Sequence, residues 1–292
     1  MKIIDPHLHL FDLNKGQYHW LKPENPPFWP DKPVIAKNFS EQALKLASPL
    51  NLAGFVHIEA GFNNQEPWRE IAWLEENCQS SFRSIASLDI TLMPALFSQQ
   101  LDKLLTYQSV VGIRHILDDE ALNILKHKNC LTNLQLLAKK QLCFELQISL
   151  SDNHAIDQLV EILSVTSGLF YCINHAGWPP LNIENARNKS HWQQNLQRLS
   201  KFSNIYIKCS GFEMADRHYS KNWQQAVINQ CITHFGIARV ILASNFPLCL
   251  WHASYQENWL SYSELKQCCN KPLTSNDITQ LCYQNAYDFY KF

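Results

Sequence analysis

The stretch Lys2-Ile3-Ile4-Asp5-Pro6-His7-Leu8-His9 decides the fold. A strand-like run, Lys2–Asp5, opens it, and two histidines stand just past that run. Their spacing of two puts both imidazoles on one face if the chain stays extended. Working outward, seven more short apolar, β-branched or aromatic runs recur: Ala53–Glu59, Phe82–Leu88, Val110–Arg114, Cys143–Ile148, Leu169–Asn174, Asn204–Lys208 and Arg239–Leu242. Amphipathic stretches fill the gaps: Glu66–Cys78, Pro94–Thr106, Leu131–Lys140, Ala155–Ser164, His191–Phe202 and Trp223–Phe235. Alternation of strand and helix predicts a parallel sheet. Eight strands are what a closed parallel barrel needs, and polar residues recur where those strands end, which is where such barrels build their sites. The expectation is an α/β fold, one (β/α)8 TIM barrel over residues 1–292. A doubly wound open sheet is the competing architecture, but no Gly-rich turn follows the first strand.

Two segments stand apart from the rhythm. Phe11–Lys37 carries Trp20, Phe28, Trp29 and five prolines (Pro23, Pro26, Pro27, Pro30, Pro33), which forbid a continuous helix or a central strand. A long loop of this kind at the rim reads as a lid over a substrate, or else as a connector strapped across the barrel surface. The pattern Ile278–Tyr290 reads as a last helix packed against the outside of the barrel.

Composition narrows the class. With 292 residues and 46% hydrophobic content, the chain can bury a full core. The net charge is -1 and no basic run occurs, which argues against nucleic acid or an anionic membrane as the partner. Ten cysteines are dispersed without a C-x-x-C, so reduced thiols fit better than a disulfide framework. The chain opens directly on a strand, and no run is long enough to span a bilayer. Cytoplasmic location, a small-molecule partner, no nucleic acid and no membrane are the expectations, with a homodimer left open.

Each strand end offers a candidate. His7 and His9 can hold a divalent metal through ring nitrogens or polarise a carbonyl without one. His57 and Glu59 share a face at the end of strand two. Arg114 offers a rigid donor fork for a substrate oxygen, the alternative being a salt bridge to a neighbouring carboxylate. Glu145 and Gln147 share a face of strand five. His175 is followed by Ala176 and Gly177, small residues beside which a ligand can approach the backbone. Lys208, in an otherwise apolar strand, is either a buried ion-pair member or a cation facing substrate. No G-x-S-x-G elbow is present, which disfavours a serine triad.

Taken in order, D-P-H-L-H-L-F-D (5–12), Y-H-W-L (18–21), V-H-I-E-A (56–60), G-I-R-H (112–115) with D-D-E (118–120), I-N-H-A-G-W-P (173–179), I-Y-I-K-C-S-G (205–211), A-S-N-F-P (243–247) and N-A-Y-D-F-Y (285–290) resemble the amidohydrolase-2 family. The likeness is nearest to sugar-lactone and 2-pyrone-4,6-dicarboxylate lactonases. It implies a metal-type TIM-barrel hydrolase with His7, His9 and His175 at the reacting centre. Those three would also be the ligands if a metal is bound. The resemblance makes Arg114 a carboxylate or carbonyl contact, Lys208 the lysine of the K-x-S-G strand, and His57 and Glu59 weaker matches at the substrate, with Gln147 beside them. It implies no strictly required cofactor, or one weakly held divalent, zinc-like metal. One departure stands out. Where a family lactonase has a strand-eight aspartate as base, this chain has Asn245, which cannot ionise and can only orient water. The expected activity is hydrolysis of a lactone or other cyclic ester of a small sugar acid or carboxylated ring, the base falling to a histidine or Glu59. The alternatives are a superfamily decarboxylase or amide/ester hydrolase with one divalent metal, and a barrel that only binds a small molecule.

Overall fold

In the computed structural model, residues 1–181, 186–265, 267–268 and 271–292 are described. Eight parallel strands follow one another around one sheet: β1 (Lys2–Leu8), β2 (Asn51–Ile58), β3 (Phe82–Ser87), β4 (Val110–Arg114), β5 (Cys143–Leu146), β6 (Phe170–Ile173), β7 (Ile205–Cys209) and β8 (Val240–Leu242). Most of their residues are buried, as expected of strands covered on both faces. The helices between them are α1 (Trp68–Asn77), α2 (Pro94–Leu104), α3 (Ala121–Lys126), α4 (Cys130–Lys139), α5 (Asn153–Val165), α6 (Ala186–Leu199), the short α7 (Phe212–Ala215) and α8 (Lys221–Phe235), and α9 (Tyr255–Ser263) follows β8. α10 (Ser275–Thr279), a π-turn and α11 (Asn285–Tyr290) end the chain. The (β/α)8 barrel expected from the strand rhythm is therefore the architecture found.

The seam between first and last strands is closed just beyond β8. Leu8 bridges Phe246, the His9 amide donates to Phe246 O at 2.7 Å, and the Asn245 amide donates to His7 O at 2.9 Å. Beneath them the buried Asp5 carboxylate accepts from the Ser244 hydroxyl at 2.5 Å, the Ser244 amide at 3.1 Å and the His7 amide at 3.3 Å. Desolvation pushes this carboxyl up to about 6 despite those donors. Asp5 thus clamps the two strand ends that carry His7 and Asn245.

The closing helix does not lie outside the barrel, as its sequence pattern suggests, but beneath it. α11 plugs the barrel floor: Ala286 and Tyr290 pack with Ile4, Val56, Ile85, Cys143, Cys172 and Ile241. The Tyr290 hydroxyl donates to Glu145 Oε1 at 2.5 Å. A carboxylate at 0% exposure needs such donors, and the open floor of the barrel needs a plug. Arg239, expected in the last strand, sits in a 3-10 turn (Ile237–Arg239). There its guanidinium donates to the carbonyls of Ser200, Phe202, Ile205 and Phe235. The eight cysteines whose side chains are described are all free. Among the described residues no helix is long and apolar enough to cross a membrane.

The loop after β1 crosses the C-terminal end of the barrel. On one side the Tyr18 and Gln17 amides donate to Gly61 O and Phe62 O, and Trp20 Nε1 donates to Ala60 O at 2.8 Å. On the other, Trp29 packs on Trp251, Trp251 Nε1 donates to Asp31 O at 2.9 Å, and Arg217 pairs with Asp31 at 2.7 Å. Its anchors therefore stand beyond β2, β7 and β8, on the face where the strand ends present their polar groups.

Candidate active site

Three imidazoles gather at the C-terminal mouth. The His7 ring lies 5.2 Å from His9 and 4.6 Å from His175, centroid to centroid. His7 is fully buried, and His9 and His175 are nearly so. Burial holds all three below the usual imidazole range: His175 at about 3, helped by Arg114 and Lys208, and His7 and His9 well below normal. At neutral pH they are uncharged rings.

Hydrogen bonding fixes which nitrogen of each ring carries the proton. His9 Nδ1 lies 2.8 Å from Ile58 O, and a carbonyl only accepts, so Nδ1 carries the proton and Nε2 keeps a lone pair. His7 is the reverse. Its Nδ1 is 3.3 Å from Lys208 Nζ, which also donates to Pro6 O at 3.0 Å and to Glu145 Oε2 at 2.9 Å. An ammonium only donates, so neutral His7 accepts at Nδ1 and carries its proton on Nε2. That Nε2 is buried and has no hydrogen-bond partner. The result is one unpaired N–H donor beside one unprotonated ring nitrogen.

His175 sits on strained backbone. His175, Ala176, Gly177 and Trp178 have φ of 52°, 51°, 68° and 57°, four left-handed residues in a row of which only one is glycine. Each non-glycine residue there costs roughly 1–2 kcal/mol, and such strain concentrates at functional sites. The turn lays the His175 ring against both His7 and Trp178, with Nδ1 3.1 Å from Ser210 Oγ. The glycine expected to admit a ligand is filled by protein instead, since a Cβ on Gly177 would stand 2.2 Å from the Leu150 side chain. Gly211 has a similar duty: a Cβ there would meet His175 Nδ1 at 2.3 Å.

The remaining candidates form an arc. Arg114 Nε donates to Glu59 Oε1 at 2.8 Å, Nη2 to Glu59 O at 2.9 Å, and Nη1 to Gln147 Oε1 at 2.9 Å. Gln147 Nε2 donates to Asp118 Oδ2 at 2.8 Å, and Trp178 Nε1 reaches Asp118 Oδ1 at 3.3 Å. Burial raises the Glu59 carboxyl although Arg114 opposes it. A cleft of about 600 Å³ opens beside Glu59, lined also by Asn64, Gln65, Asp89, Gln100 and His115. The three imidazoles do not line it. His57 stands apart from this arc: Nδ1 accepts from the Leu10 amide at 3.2 Å and Nε2 meets Glu70 Oε1 at 2.9 Å, so neither ring nitrogen is open to a substrate. Lys208, fully buried, is the ion-pair member of the two alternatives open to it.

Asn245, in left-handed backbone at φ 58°, donates from Nδ2 to Glu213 Oε1 at 2.5 Å. Glu213 and the supporting groups Asp5, Glu70 and Tyr290 escaped sequence reasoning. Glu213 carried a readable signal, an acid two residues past the Ser210-Gly211 strand end. Glu70 did not, because a carboxylate inside an amphipathic helix looks solvated until the helix is docked.

These residues do not fit a divalent metal as they stand. His7 Nε2 carries a proton, Asn245 brings no charge, and among the described residues no group of three or more His, Cys, Asp or Glu side chains is arranged to hold an ion.

Solved structures with this architecture include an amidohydrolase from Burkholderia multivorans with bound Zn, at 17% identity, TM-score 0.81 and 100% of both chains. A probable 2-pyrone-4,6-dicarboxylic acid hydrolase from Acinetobacter baumannii, with citric acid bound, aligns at 19% identity and TM-score 0.70, again over 100% of both. The 2,6-dihydroxybenzoate decarboxylase from Rhizobium aligns at 11% identity and TM-score 0.66, over 99% of this chain and 98% of that one. At such identities these likenesses carry the fold alone. The Amidohydrolase family model (Amidohydro_2) matches residues 4–292, nearly the whole chain, and the protein belongs to that amidohydrolase family.

Proposed function

We propose that this amidohydrolase-family enzyme hydrolyses an uncharged sugar-derived lactone. The observation that carries the reading is the buried His7 Nε2–H, a donor with no protein partner at the barrel mouth. A donor kept dry and unpaired costs stability unless a ligand oxygen completes it. Aimed at a lactone carbonyl, it binds the oxygen more tightly as charge develops there, which is how a preorganised donor lowers a barrier. The neighbouring His9 Nε2 lone pair suits a substrate hydroxyl, and the Asn245 amide suits the water.

Charge at the mouth favours the uncharged substrate over a carboxylated ring. Arg114 is engaged by Glu59 and Gln147, Arg217 by Asp31, and Lys208 by Glu145. The adjoining cleft adds Asp89, Asn64, Gln65 and Gln100, groups that suit sugar hydroxyls. A substrate carboxylate would have to compete with Glu59 for Arg114 inside a buried pair.

Hydrolysis of neutral aldonolactones, followed as proton release, tests the reading. Turnover that falls at least about 100-fold in His7→Phe, with the fold intact by circular dichroism, supports it. Wild-type protein that opens no neutral lactone overturns it.

A further inference from the structure

We infer that Glu213 is the general base of this site, supplying from α7 the carboxylate that the end of β8 lacks. This rests on the hydrolytic reading above. α7 starts directly after β7, so Glu213 stands at the same end of the barrel as His175 and Asn245. Glu213 is 2% exposed, and its carboxylate takes an Asn245 Nδ2 hydrogen on Oε1. No described side chain besides Asn245 donates to this carboxylate, and its own backbone amide also favours the ionised form. Asn245 Oδ1 takes no hydrogen bond from a described residue. In this assignment the Asn245 amide and the Glu213 carboxylate, locked together by the Nδ2–H to Oε1 hydrogen bond, hold the attacking water between them.

The groups around Glu213 suit the task. Arg217, one turn on, donates from Nη1 to the Glu213 carbonyl at 2.5 Å, and its charge favours the ionised carboxyl. Tyr219, Cys249 beyond β8 and Tyr262 of α9 face it as neutral groups, each pushed up by burial and by the Glu213 charge. Desolvation dominates and pushes Glu213 up to about 7, where a base is both ionised and effective in neutral solution. The other carboxyl considered for this role, Glu59, is bound to Arg114.

The chemistry balances without a further reactant. Water oxygen bonds to the lactone carbonyl carbon, the carbonyl π pair moves to oxygen against His7 Nε2–H, and the water proton goes to Glu213 Oε2. Collapse re-forms C=O and breaks the ring C–O bond, whose oxygen takes the proton back from Glu213. The new carboxylic acid then releases its own proton to solvent.

The test compares wild type, Glu213→Gln and the exchange variant Glu213→Gln/Asn245→Asp. Glutamine keeps an acceptor for Asn245, so a purely structural role survives the single change. Loss of kcat by about 100-fold or more with KM nearly unchanged, and disappearance of the acid limb near pH 7, is expected. The exchange variant should recover to within about tenfold of wild type, with its acid limb moved to lower pH. A single variant within about threefold of wild type, or one that keeps the acid limb, overturns the inference. Infrared difference spectra of wild type against Glu213→Gln separate this inference from the functional reading. If no lactone is opened, a Glu213 carboxyl that titrates between pH 6 and 8 still supports a base at this position, and its absence overturns it.

Discussion

Lys208 Nζ lies 3.3 Å from His7 Nδ1 while its other hydrogens go to Pro6 O and Glu145 Oε2, so one buried cation determines which His7 nitrogen carries the proton. The line continues downward through Glu145 to the Tyr290 hydroxyl on the barrel floor. Nitrogen-15 NMR of labelled histidine should report His7 as the Nε2–H tautomer. In Lys208→Met the Nδ1–H form should appear and kcat should fall by about 100-fold. Stability should fall as well, by about 3–5 kcal/mol, because Glu145 is left buried without its cation. An Nδ1–H signal for His7 in the wild-type protein would contradict this account.

The Glu213 carboxyl gives a stability prediction whose sign follows from its shift. Its ordinary value is 4.5 and its folded value about 7, so between those pH values the folded chain binds more protons than the unfolded one. Stability must then fall as pH rises from about 4.5 through 7, by roughly 3 kcal/mol in all. Glu213→Gln removes that term. Its Tm should exceed that of wild type at pH 8, and the gap should close toward pH 4.5. An equal gap at both pH values would show that Glu213 does not titrate in this range.

Restoring an aspartate on the last strand should not help by itself. Asn245→Asp places a second carboxylate at the 2.5 Å contact with Glu213, where two like charges end up sharing one proton. The single variant should lose activity at pH 7 and shift its acid limb upward. A gain in kcat at pH 7 would contradict the Glu213 assignment.

Metal dependence is open to direct measurement. Because Lys208 puts the His7 proton on Nε2, kcat should be unchanged after dialysis against chelator, and protein purified without added metal should contain well under one equivalent. Loss of activity on chelation, restored by zinc, would show that His7 adopts the other tautomer.

The barrel was legible because its signal is repeated: eight apolar runs separated by amphipathic stretches leave few other arrangements. The mouth histidines were legible for the same reason, since strand periodicity says which residues share a face. What escaped depends on docking. Glu70 reaches His57 only once α1 is packed, and Tyr290 reads as an outer helix residue until α11 is seen to fill the floor. The pairing of Arg114 with Glu59 joins strands 55 residues apart, and sequence alone leaves it balanced against a substrate contact. Asn245 read as a missing base because its partner lies on a different strand–helix junction.

Hydrolysis of an uncharged lactone, with His7 Nε2–H holding the carbonyl oxygen, is put to the test by one matched pair of substrates. The kcat/KM of wild type and His7→Phe would be measured on a neutral aldonolactone and on a lactone bearing a ring carboxylate. At least about tenfold preference for the neutral lactone, and collapse of that activity in His7→Phe, are expected. Preference for the carboxylated lactone, or an undiminished His7→Phe, would contradict it.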